Sequence, residues 1–94
     1  MKTFKVDNKI FPIFRRYQVK TAGLFGSRAR GDAKADSDYD FLVNFEKAPS
    51  LVKLIRMENE LEGILGTKVD IVIEGSEKAF VKASLEKDLT PIYG

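Results

Sequence analysis

The chain has 94 residues, a net charge of +2, and no cysteine, histidine or tryptophan. Those absences exclude a disulfide scaffold, a thiolate nucleophile, a Ser-His-Asp triad and any imidazole or thiolate metal site. A bound metal must be held by oxygen, and catalysis must run on carboxylates, hydroxyls, Lys or Arg. A hydrophobic fraction of 44% beside 32% charged residues is a globular balance, expected as one domain over residues 1–94. The longest apolar runs, such as Phe41-Leu42-Val43 and Ile71-Val72-Ile73, are far short of a membrane span. Asp7, Asn8 and Lys9 interrupt any leader-like apolar stretch, so a cytoplasmic location without membrane contact is expected. The charge is uneven. Residues 1–34 carry nine bases and two acids, for +7, and residues 35–94 carry seven bases and twelve acids, for −5. A basic first third suits an anionic ligand and an acidic remainder suits a cation. No long basic stripe with interleaved aromatics appears, so direct nucleic-acid binding is not expected.

Residues 7–17 (DNKIFPIFRRY) predict a short helix, with Pro12 placed awkwardly. Residues 18–25 (QVKTAGLF) predict a strand, followed by the turn Gly26-Ser27-Arg28-Ala29-Arg30-Gly31. Residues 38–45 (DYDFLVNF) alternate and predict a second strand. Pro49-Ser50 opens a helix with Leu51, Leu54, Ile55, Leu61 and Leu65 on one face, stopped by Gly66. Residues 68–74 (KVDIVIE) predict a third strand. Ser76 starts a last helix carrying Val81, Leu85 and Leu89, which Thr90-Pro91 ends. Three strands with covering helices make a compact α/β or α+β domain. The second and third strands flank a helix and can pair in parallel. The first and second can also form a hairpin-like pair, so a mixed sheet is open.

Asp38 and Asp40 lie two apart on a strand, so both point to one face, roughly 6–7 Å apart. Tyr39, Phe41, Val43 and Phe45 point the other way, toward a possible core. Asp70 opposes the face that Val69, Ile71 and Ile73 share. Taken singly, Asp38 and Asp40 also fit an exposed turn, and Asp70 a surface acid of an edge strand. Brought together, three carboxylates repel one another, and a hard divalent cation with oxygen ligands relieves that repulsion. Gly26 lets backbone approach a ligand closely, and Ser27 offers an N–H and a hydroxyl. If residues 27–31 form a helical turn, its first amides point at an anion. Arg28 and Arg30 diverge on such a turn, and Arg30 is the one expected to reach phosphate. Tyr39 and Phe25 are expected to pack in the core, and Lys68 has no assigned role.

The segments Gly26–Ala33, Ser37–Val43 and Val69–Val72, with the ending Pro91-Ile92-Tyr93, resemble the polymerase-beta-like nucleotidyltransferase superfamily, and within it the minimal nucleotidyltransferase (MNT) branch. The resemblance implies that superfamily's fold, a small mixed sheet with packed helices. It implies transfer of a nucleoside monophosphate, such as AMP from ATP, to a hydroxyl with release of pyrophosphate. Asp38, Asp40 and Asp70 would ligate two Mg²⁺ ions, and Gly26, Ser27 and Arg30 would hold the nucleotide's phosphates. MNT relatives typically act as antitoxins on small helical HEPN toxins. The resemblance therefore implies a HEPN-family partner, modified at a tyrosine, masked by binding, or both. A transferase acting on a small molecule such as an aminoglycoside is a further alternative, though little chain remains to build an acceptor pocket.

Overall fold

A computed structural model describes residues 7–76 and 79–94, with only the backbone of Phe80. Its elements are α1 (Ile10–Arg16), β1 (Val19–Phe25), α2 (Ser27–Arg30), β2 (Tyr39–Phe45), α3 (Leu51–Leu65), β3 (Val69–Ile73), α4 (Ala79–Asp88) and β4 (Thr90–Tyr93). The sheet order is β3-β2-β1-β4. Strand β1 runs antiparallel to both β2 and β4, whereas β2 and β3 are parallel. The α3 crossover permits that parallel pair, because parallel neighbours cannot be joined by a tight turn. The fold is thus a mixed α+β sheet.

Local chemistry explains most boundaries. Pro12 falls in the first turn of α1, where a backbone N–H has no helical partner to lose. Ser50 caps α3 by accepting the Lys53 N–H at 3.2 Å, and Gly66 ends it in the left-handed conformation, φ 76°. Gln18 adopts a positive φ of 60° between α1 and β1. The alternation of β2 places Phe41 and Val43 in the core, where both are fully buried. Phe14 meets Phe41 edge-on at 5.9 Å and Tyr93 at 5.4 Å, which joins α1, β2 and β4 around one centre.

Three expectations need correction. Residues 90–93 do not merely follow the last helix; they form β4 and pair with β1. Helix α4 stops at Asp88, so Leu89 lies outside it, 40% exposed, while Leu85 is buried. The buried face of α3 is also rotated. Met57 and Leu61 are fully buried with Leu54, Ile64 and Leu65 beside them, whereas Leu51 and Ile55 face outward. The expected start of the last helix just after Ser76 lies outside the described residues.

Candidate active site

The site forms where the C-terminal end of β1 meets the N-terminal ends of β2 and β3. Phe25 is in register with Asp40, and Asp40 with Asp70. In-register residues of neighbouring strands project to the same face, so Asp40 and Asp70 stand side by side. Asp38, two residues before Asp40, adds a third negative charge that Asp40 feels. Burial pushes the half-buried Asp40 carboxyl above its ordinary range. Asp70 and then Asp38 push it further, and Arg30 opposes them.

Gly26 closes the other side. Its φ of 75° is left-handed, and a Cβ there would lie 2.5 Å from Asp40 Oδ2. Only glycine gives both the conformation and the space. Helix α2 begins at once, with the Ala29 and Arg30 N–H groups donating back to the Gly26 carbonyl, each at 3.1 Å. Ser27 therefore sits at the head of a helical turn, next in sequence to the glycine that abuts Asp40. The face of β2 that holds Asp40 continues through Leu42 and Asn44 into a cavity of about 220 Å³, which Gly23, Glu74 and Leu89 also line.

The two arginines take unequal roles. Arg28 donates to the Ser37 carbonyl at 2.8 and 3.2 Å and to the Ala35 carbonyl at 3.1 Å, with its guanidinium 4.3 Å from the centre of the Tyr39 ring. It pins the loop that carries Asp38 and has no spare fork for phosphate. Arg30 donates to Asp88 at 2.7 Å and to Asp32 at 3.2 Å. Those contacts hold its positive charge near Asp40. Tyr39 stacks on Phe41 and Phe25 is buried, as expected of packing residues. Lys68 is exposed, and its carbonyl accepts the Tyr39 N–H.

Two contributors have no sequence signal beyond a pair of acids four apart. Glu62 Oε2 accepts the Val69 N–H at 3.0 Å, and Glu58 accepts a backbone bond from Ile71. Together they grip the outer edge of β3 on either side of Asp70. Burial raises the Glu58 carboxyl, the Ile71 bond opposes that, and the Asp70 and Glu62 charges add to the rise.

Asp38, Asp40 and Asp70 have the donor chemistry of a hard-cation site, oxygen only, with repulsion that a cation would remove. Among the described residues, no three acidic groups are drawn together into a finished cation cage.

The sequence pattern of the nucleotidyltransferase domain matches residues 8–92. The chain belongs to that family. Protein adenylyltransferase MntA of Thermococcus cleftensis is 45% identical over 74 residues, 79% of this chain and 75% of that protein. A solved toxin–antitoxin structure with AMP-PNP superposes with a TM-score of 0.79 at 22% identity, covering 93% of this chain and 72% of that one. A tri-AMPylated HEPN toxin from Shewanella oneidensis in complex with an MNT antitoxin gives 0.69 at 20% identity, covering 93% and 68%. The two structures share the fold, and the family makes the chain a nucleotidyltransferase.

Proposed function

We propose that this nucleotidyltransferase transfers AMP from ATP to a tyrosine hydroxyl of a HEPN-family partner and thereby acts as an antitoxin. The observation that carries the reading is the register of Phe25, Asp40 and Asp70 across three adjacent strands, with Gly26 following Phe25 and abutting Asp40. The turn that would hold the nucleotide therefore lies against the Asp40 carboxylate, with Asp70 beside Asp40 on the next strand. Asp38, Asp40 and Asp70 are the residues that would hold Mg²⁺. When bound, the ion supplies charge neutralisation for the triphosphate and a lower pKa for the attacking hydroxyl. Gly26 and Ser27 give the outer phosphates a close backbone approach, and Arg30 adds positive charge beside them. Transfer joins the acceptor oxygen to the α-phosphorus and breaks the phosphorus bond to the bridging oxygen, so pyrophosphate leaves and the hydroxyl proton is released to solvent.

Three supports come from different directions. The first is the MntA relative, named a protein adenylyltransferase. The second is a neighbour complex that holds AMP-PNP. The third is a neighbour complex whose HEPN toxin is AMPylated. The test uses ATP labelled at the α-phosphate, Mg²⁺ and a purified HEPN-family protein encoded beside the gene. Label should appear on a tyrosine of that protein and vanish with Asp38→Ala and Asp40→Ala together. Absence of label, or label indifferent to that double substitution, refutes the assignment.

A further inference from the structure

The first two turns of α3 expose three aliphatic side chains. Leu51 is 72% exposed, Val52 60% and Ile55 47%. Ile55 lies three residues after Val52 and four after Leu51, so it joins both into one aliphatic patch. Beside that patch lies a cavity of about 630 Å³ lined by Arg16, Lys47, Lys53 and Arg56, with Tyr17 and Ser50. Arg16 is paired with Glu60. Among the described residues, Lys47, Lys53 and Arg56 form no ion pair. The glutamates of α3 are already engaged: Glu58 and Glu62 on the β3 edge, and Glu60 on Arg16 and Tyr17. The surface therefore offers aliphatic groups and unmatched positive charge together. It also sits away from the carboxylates. Val69, the residue before Asp70, donates to Glu62, and a helix rising 1.5 Å per residue sets Ser50 about 18 Å from Glu62.

We infer that the start of α3 and the cationic cavity beside it form a docking surface for a protein partner, occupied by a helix that carries aliphatic side chains flanked by carboxylates. Charge complementarity selects that occupant. Nucleic acid would use the cations but leave Leu51, Val52 and Ile55 in water. A second copy of this chain would bring α3 glutamates that are already committed. The inference concerns recognition alone and does not depend on what the carboxylates catalyse.

The probe is a synthetic amphipathic peptide with leucines at helical spacing and glutamates on both sides of them. Added to the whole chain, it should shift the amide resonances of Lys47, Leu51, Val52 and Ile55. Its affinity should fall about tenfold or more with Lys53→Glu and Arg56→Glu together, and again with Ile55→Ser. All three positions are exposed, so the melting temperature should hold and separates lost docking from lost folding. A peptide with serine for leucine should not bind. No shift at this surface, or binding indifferent to the leucines, overturns the inference. So does tighter binding of oligouridylate that survives Ile55→Ser, which would make this a nucleic-acid surface.

Discussion

Gly26 and Asp40 occupy space that leaves no room for a methyl group between them. In Gly26→Ala the new Cβ must displace the Asp40 carboxylate while the backbone keeps a left-handed φ. That should cost about 1–3 kcal/mol of stability in urea unfolding. Nucleotide transfer should fall about 100-fold, because a small displacement at a reacting centre is that costly. Asp40 makes a second prediction. Its folded carboxyl titrates above the unfolded value of 3.8, so the folded state is penalised wherever that group is ionised. The penalty is complete at neutral pH and fades as the pH falls through the raised value toward the unfolded one. Asp40→Asn should therefore raise the melting temperature of metal-free protein at neutral pH while abolishing transfer, and the gain should vanish in acid. A lower melting temperature at neutral pH would contradict the burial and repulsion assigned to this side chain. These residue types were legible from the sequence. The side-by-side placement of Asp40 and Asp70 was left open there, because it rests on a parallel register of β2 and β3 that the sequence permits without requiring.

Helix α3 and strand β3 act as a unit. Strand β3 is at the sheet edge, and two glutamates of α3 take N–H groups that its outer side would otherwise present to solvent. Glu62→Ala should cost about 1–2 kcal/mol by chemical denaturation, because it leaves the Val69 N–H without its acceptor. Glu62→Gln retains a carbonyl oxygen and should recover most of that loss. Ser50→Ala should cost about 1 kcal/mol through the lost cap. The ends of α3 were readable because Ser50 and Gly66 carry their own chemistry. Its buried face was not, because leucine spacing alone permits either of two neighbouring stripes and Met57 decides between them by packing. Strand β4 was hidden for another reason. Four residues hold too little periodicity to announce a strand. Pro91 in addition suits only an edge, where its missing N–H faces away from the ladder.

Across the whole molecule, Tyr93 links the last strand to the first helix by stacking on Phe11 at 5.9 Å and tilting against Phe14. Tyr93→Ala should lose about 2–4 kcal/mol, read from the urea midpoint, and should loosen α1 and β4 together. The uneven charge seen along the chain also takes a spatial form. The carboxylates gather where three strands meet, and cations that form no ion pair among the described residues gather toward the opposite end of α3. Arg28 belongs to neither group. It gives its protons to two carbonyl oxygens and its flat face to a phenol ring, and none of these is a charge pair. Dissolved electrolyte screens such short contacts little, while it shields a triphosphate strongly. In a potassium chloride series, KM for ATP should climb while turnover at saturation stays level, because the loop that presents Asp38 is fastened by bonds that salt does not loosen.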